Sequence, residues 1–295
     1  MILIVGATGN LGGHVARQLL ARGQQVRAMT RDPRRAAGLE AAGAHVVPGD
    51  LRDTASLRRA TTGVQAVVSA SHAILGAGKG SSARVDAEGQ RSLIAAAKDA
   101  GVSHFVFTSA LGASSSHPVD FWRTKAGIEQ ELQQSGLPFT IVRPSAFMEV
   151  HAYDLIGKAV MTGKPTVLFG PGNNPRNFVA AADVARLVGI ALDDPRLIGQ
   201  TVEIGGPENL TTRQVVATFE RVSGKRARII HFPLQAVRIL ARAMQPMHEG
   251  VSRILKATVV GETTDQTFDP TTLVARFPLA LTPLEDWARA YTRGT

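Results

Sequence analysis

In the first half of the chain, short apolar runs alternate with longer stretches in which apolar positions recur every three to four residues. The short runs predict strands at residues 2–5, 26–30, 45–48, 65–69, 104–108 and 139–142. The longer stretches predict helices. Leu11, Val15 and Leu19 mark one face of the first, which Gly23 stops. Asp32 offers a cap for the second, with Pro33 at its first position, Leu39 within it and Gly43 beyond its end. Further helices are expected at 53–61, 83–100 and 121–135. Helical crossovers between neighbouring short strands favour a parallel sheet covered on both faces, so the expected fold class is a doubly wound α/β fold of Rossmann type.

After Arg143-Pro144 the pattern loosens, and the run GPGNNP at residues 170–175 is a strong loop signal. Asp183 is expected to cap a helix at 184–192, followed by a strand at 201–204 and a helix at 211–223. The remaining residues, rich in arginine and apolar side chains, are not assigned. No internal repeat and no long linker is visible.

Composition narrows the class. At 295 residues with 44% hydrophobic and 19% charged side chains, the chain can build a large core. The absence of cysteine removes disulfides, thiolate nucleophiles and iron–sulfur ligation, and points to a reducing, cytoplasmic setting. The amino terminus has no basic flank and begins as a strand, not a signal peptide. The least charged stretch, residues 60–78, is interrupted by Thr61, Gly63, Gln65 and His72, so no membrane span is expected. Lys and Arg total 33 against 24 Asp and Glu, a net charge of +9 that favours anionic ligands. Arginines gather between Arg221 and Arg253 without a nucleic-acid motif or interleaved aromatics, so nucleic acid is not an expected partner.

The sharpest local signal is Gly6-Ala7-Thr8-Gly9-Asn10-Leu11-Gly12, set between the first strand and its amphipathic helix. Gly6 suits a tight turn, Gly9 a close backbone approach to a pyrophosphate and Gly12 close packing of helix on sheet. The spacing is GxxGxxG, a variant of the dinucleotide fingerprint. At the end of the second strand, where an acid would select a free ribose hydroxyl, stand Thr30 and Arg31, with Arg34 and Arg35 beyond. That favours a 2′-phosphate and hence NADPH over NADH. Asp32, beside Pro33, reads as a helix cap, and the alternative for the arginines is a solvated helix start.

The chain resembles the atypical short-chain dehydrogenase/reductase superfamily, specifically its NmrA-like group with quinone-reductase-like and isoflavone-reductase-like relatives. The resemblance rests on GATGNLGG at 6–13, GDLRD at 49–53, FVFTSALGA at 105–113 and TKAGIEQELQQSGLPFTIVRP at 124–144. FVAAADVA at 178–185 and VEIGGPENLTT at 202–212 extend it. It implies an NADP-binding domain made of residues 1–145 with 178–205. A smaller substrate- or partner-binding region, residues 146–177 with 206–295, would roof the cleft at the strand ends. It also implies that Thr8, Asn10 and Leu11 belong to the cofactor loop, that Asp50 and Leu51 lie beside the adenine, and that Ser69, Ala70 and Ser71 lie beside the ribose and nicotinamide. Ordinary turn capping and loop solvation are the alternatives for Asp50 and the serines.

Better-known members of the superfamily use Tyr-x-x-x-Lys on a helix, the lysine lowering the phenol pKa and the phenol giving the proton. Here Lys125 matches the lysine, but Phe121 stands four residues earlier and has no proton to give. Ser109 corresponds to the neighbourhood of the family's active-site serine, with Thr108 beside it. Lys125 and Ser109 are therefore the catalytic candidates, and Phe121, Trp122, Phe147, Met148 and Tyr153 the candidate substrate-pocket residues. Trp122 and Phe147 read equally well as core aromatics. The glycine-rich segment 76–82 lacks the P-loop spacing and reads as a lid, and the scattered histidines offer no metal site.

Two functions follow. One is an NADPH-dependent oxidoreductase passing hydride to a small conjugated carbonyl or quinone-like acceptor, which tolerates the missing phenol better than a simple ketone would. The other is a non-catalytic NADP(H) sensor with a protein partner, as NmrA-like regulators are.

Overall fold

The computed structural model describes residues 1–72, 74 and 83–293, so the lid expected at 76–82 lies outside the described residues. The chain divides into two compact units, Met1–Arg143 with Val184–Glu203, and Pro144–Asp183 with Ile204–Thr295. Elements are numbered along the whole chain.

The first unit is built on a seven-stranded sheet of β1 (Ile2–Val5), β2 (Val26–Thr30), β3 (His45–Pro48), β4 (Ala66–Ser69), β5 (His104–Thr108), β6 (Phe139–Pro144) and β10 (Gln200–Ile204). Its order is β10-β6-β5-β4-β1-β2-β3, and the pairs from β3 through to β6 run parallel. In the register, Val5 stands between Met29 and Ser69. Strand order reverses at β1, which leaves a crevice beyond the carboxyl ends of β1 and β4. Continuous burial of β1, β4 and β5 explains their unbroken apolar runs, whereas the edge strand β3 is half exposed.

The crossovers are α1 (Asn10–Ala21), a 3-10 turn (Pro33–Ala36) leading into α2 (Ala37–Ala41), α3 (Thr54–Thr61), a π-helical turn (Ala83–Glu88) leading into α4 (Gly89–Asp99), and α5 (Asp120–Gln134). Asp32 caps as its position predicts, accepting a bond from the main-chain N–H of Arg34 (3.2 Å), and Asp53, expected inside the next helix, stands at its N-cap and accepts from Ala55 (3.0 Å). Leu3, Leu57, Leu93, Phe105, Phe107 and Ile141 are fully buried in the core, each contributing about 1.5–3 kcal/mol by burial.

In the second unit, β7 (Ala146–Phe147), β9 (Arg176–Val179) and β11 (Asn209–Leu210) form one small sheet, and β8 (Pro165–Phe169) pairs with β12 (Arg228–Phe232). The loop expected at 170–175 lies between β8 and β9. A π-helical stretch (Met148–Gly157) runs into α6 (Lys158–Thr162). α7 (Ala181–Asp193) begins in this unit and ends in the first. α8 (Thr212–Ser223) starts with a reciprocal capping box between Thr211 and Gln214. α9 (Leu234–Met244), α10 (Glu249–Thr263), α11 (Thr271–Arg276) and α12 (Leu284–Arg293) fill the tail that the sequence pattern left unassigned.

Asp183 corrects one expectation. It lies inside the first turn of α7, not ahead of it, and its buried carboxylate accepts bonds from the Thr282 main-chain N–H (2.7 Å) and hydroxyl (2.9 Å). A partner 99 positions away in the chain cannot be seen in local spacing. Among the described residues no helix is long and apolar enough to cross a membrane.

Candidate functional site

The site begins where β1 ends. Gly6 has φ +86°, a left-handed conformation, and a Cβ on it would lie 3.1 Å from the Ala70 carbonyl. At Gly12 a Cβ would come within 2.2 Å of the Gly6 carbonyl oxygen, so the loop folds back directly on the first turn of α1. Gly9 is the N-cap of α1 without a side-chain cap, and no acidic residue stands in the first turn. Gly9 and Asn10 are exposed, whereas Leu11 and Gly12 are buried. The uncapped N–H groups and positive dipole end suit a phosphate. Thr8 ties this loop to the end of β2 through its hydroxyl, 3.4 Å from that of Thr30.

Beyond β2, Arg34 closes on Asp32 (3.1 Å) and is committed to it, while Arg31 and Arg35 are exposed. Asp50, at the end of β3, is bound by Arg52 through side chain and main chain. The Arg52 hydrogen bond holds the Asp50 carboxyl below its ordinary value, and the Arg31 charge adds to the effect. Asp50 and Leu51 line a cleft of about 510 Å³ with Glu88, Gly89 and Ser92. Sequence reasoning missed the last three because only the fold brings the start of α4 beside the end of β3.

Ser69, Ala70 and Ser71 follow β4 directly. Ala70 donates its main-chain N–H to Val5 (3.0 Å), and buried Gln90 bridges the two serines, meeting the Ser69 hydroxyl at 2.8 Å and donating to that of Ser71 at 3.2 Å. Gln90 was not visible as a site residue in the sequence.

At the end of β5, Lys125 is buried with 3% exposure, and its Nζ donates to the Thr108 carbonyl at 2.9 Å. The ammonium lies 4.8 Å from the Phe107 ring centroid and 5.7 Å from that of Phe121. Burial pushes the Lys125 pKa down, with the charges of Asp86 and Glu129 opposing that shift. The hydroxyls of Thr108 and Ser109 are buried without a hydrogen-bond partner. Buried hydroxyls without partners on the two residues at the strand end that binds the ammonium leave hydrogen-bonding capacity for a polar ligand. Phe121 is buried, with Trp122 edge-on at 5.2 Å; Trp122 stacks on His117 and donates from Nε1 to the Leu111 carbonyl.

The remaining pocket candidates belong to the second unit. Phe147 is half-buried in β7, Met148 is buried in the apolar core, and Tyr153 packs against Phe219, Trp287 and Tyr291.

A model described as the NmrA-like family matches residues 1–287. The chain is 30% identical over 236 residues to an NAD(P)H azoreductase of Xenophilus azovorans, covering 80% of this chain and 78% of that one. It is 29% identical over 243 residues to the photosystem II assembly factor Ycf39 of Trieres chinensis, covering 82% and 75%. Among solved structures, the NADPH-dependent quinone oxidoreductase QOR2 of Escherichia coli, complexed with NADPH, is similar over 99% of both chains, with TM-score 0.78 and 25% identity.

Proposed function

The chain belongs to the NmrA-like family, and from that premise we propose that it is an NADPH-dependent oxidoreductase acting on a small conjugated carbonyl or quinone-like acceptor. The observation that carries the reading is the buried Lys125 ammonium at the Thr108 carbonyl, on a strand end where the hydroxyls of Thr108 and Ser109 are buried without partners. The similarity to an azoreductase and to the quinone oxidoreductase QOR2 supports the same class of chemistry.

On this reading the first unit holds the cofactor. The loop from Gly6 to Gly12, including Thr8, Asn10 and Leu11, takes the pyrophosphate; Thr30, Arg31 and Arg35 take the 2′-phosphate; Asp50 and Leu51 face the adenine. Ser69, Ala70, Ser71 and Thr108 lie along the ribose and nicotinamide, with Lys125 as the ribose-binding and charge-stabilising group. Bound NADPH supplies the hydride. Lys125 orients, and it stabilises negative charge that develops on the acceptor. Ser109 offers its hydroxyl to the same oxygen. Phe147 and Tyr153, with Met148 in the core against which Tyr153 packs, remain the candidate acceptor residues of the second unit considered by itself.

Phe121, which removes the family phenol, and the resemblance to Ycf39 assembly factors favour a second reading, an NADP(H) sensor that binds a protein partner. The test follows NADPH absorbance against quinones, enones, azo compounds and aldehydes, with unmodified protein and Lys125→Ala. The enzyme reading expects turnover that Lys125→Ala lowers by about 10²-fold or more. No turnover with any acceptor, together with tight NADPH binding and a partner that distinguishes NADP⁺ from NADPH, would replace it by the sensor.

A further inference from the structure

We infer that His72 is the proton donor of the Lys125 site, standing in for the hydroxyl that Phe121 lacks; the inference rests on the oxidoreductase reading. His72 follows Ser71, so it leaves the sheet at the carboxyl end of β4, and the Gln90 bridge to Ser69 and Ser71 fixes the backbone that leads into it. Its ring stands edge-on to Phe121, with centroids 6.0 Å apart and planes at 79°. Phe121 in turn carries the Lys125 ammonium 5.7 Å from its centroid. The imidazole thus lies against the side chain that replaces the family phenol, on a segment bonded to β1.

His72 keeps exposed surface that meets water, while enough protein encloses its ring for desolvation to be the largest influence on its pKa. Two charged groups act on it, Lys125 from α5 and Asp86 from the π-helical turn before α4. Surrounding protein and the Lys125 charge push the His72 pKa down, while Asp86 pushes it up. The net direction makes the imidazolium a stronger acid than free histidine, which suits donation to an oxyanion. Phe121, in ring contact with His72 and carrying the Lys125 ammonium over its ring, has no proton to give.

The step balances. NADPH is oxidised to NADP⁺ and its hydride reduces the quinone or enone, leaving an electron pair on the acceptor oxygen. An N–H bond of the imidazolium breaks, the O–H bond of the product forms, and the neutral imidazole takes a proton from water. The acceptor gains two electrons and two hydrogens.

His72→Gln should lower kcat for a quinone or enone by about tenfold or more, and abolish the fall in kcat that unmodified protein shows as pH rises through the imidazole pKa. NADPH affinity, read by fluorescence titration, should stay within about twofold. Adding Phe121→Tyr to His72→Gln should restore turnover, since it returns an acid to the same place. A second readout needs no turnover: the His72 ring resonances, followed by NMR, should titrate at higher pH in Lys125→Met and at lower pH in Asp86→Asn. Unchanged kcat and pH profile in His72→Gln, in a protein that otherwise turns over, would overturn this inference and leave the oxidoreductase reading standing. An imidazole that ignores both charge changes would also overturn it. Unmodified protein that reduces no acceptor would instead remove the oxidoreductase reading, and this inference with it.

Discussion

Lys125 donates from Nζ to the main-chain carbonyl of Thr108 at 2.9 Å, joining the second turn of α5 to the last residue of β5. The bond places an ammonium against hydrocarbon, since Phe107 and Phe121 supply ring faces around it. One donated bond cannot replace a full hydration shell, so burial wins over the field of Asp86 and Glu129 and the pKa falls.

That shift predicts a pH dependence of stability with a definite sign. Unfolding returns Lys125 to its ordinary value of 10.5. Between the lowered folded pKa and 10.5 the unfolded chain binds more protons, so stability rises with pH across that window. The gain is complete above 10.5 and is lost as pH falls through the folded value. Lys125→Met removes this contribution. Urea denaturation of both proteins from pH 7 upward should show the unmodified protein gaining on the variant as pH rises; a difference that is flat with pH would mean that Lys125 is not desolvated.

The two glycines of the loop predict losses of NADPH binding that differ in their cost to stability. A Cβ at Gly12 meets backbone at 2.2 Å, which cannot move aside cheaply, so Gly12→Ala should destabilise by about 3 kcal/mol and weaken NADPH binding through a displaced loop. At Gly9 the single close approach is 3.2 Å, in extended backbone with φ −82°, and the residue is exposed. Gly9→Val should therefore fold with nearly normal stability and still lose NADPH, because its side chain occupies the space a pyrophosphate needs. Calorimetric titration and thermal melting of both variants check this. Normal NADPH binding by folded Gly9→Val would mean that the phosphates lie elsewhere.

On the proposed reading Arg31 carries the coenzyme preference. Arg34 is already engaged by Asp32, whereas Arg31 is exposed and near enough to Asp50 for its charge to act there. NADPH should bind at least about tenfold more tightly than NADH, a difference of about 1.4 kcal/mol, and Arg31→Ala should erase most of it. Equal affinities in the unmodified protein, measured by calorimetry, would reject the assignment.

The strands β1, β2, β3 and β5 fall at the residues their apolar runs predict, and the cap at Asp32 is a local Asx bond that spacing reveals. Legibility ends where the determinant is distant. Gln90 stands on a helix 19 residues beyond Ser71, and Asp86 acts on Lys125 across a crossover. Asp183 has the spacing of a cap, yet its carboxylate serves Thr282. In the second unit, Met148, Leu168, Phe178, Phe219 and Trp287 share one core although they come from five separate elements, two of them strands. The helix α8 shows its period in the sequence, but the strands β7, β9 and β11 have two to four residues each, too few to display a period of their own.

Phe121→Tyr tests what the missing hydroxyl costs. The substitution adds one oxygen at the edge of a ring already 7% exposed, on the same helix as Lys125 and one turn before it. Desolvation of the new phenol raises its pKa and the ammonium lowers it, and the two effects can be separated. The phenol, followed by tyrosinate absorbance, should titrate at lower pH in Phe121→Tyr than in the double variant that also carries Lys125→Met. A phenol that the ammonium helps to ionise is also a usable acid, so Phe121→Tyr should raise turnover of simple ketones by about tenfold or more. Quinones, whose reduced oxygen needs less proton assistance, should change by less than about threefold. Equal gains for both acceptor classes would show that the hydroxyl alters binding and not proton delivery, and identical titration with and without Lys125 would place the phenol out of the lysine's reach.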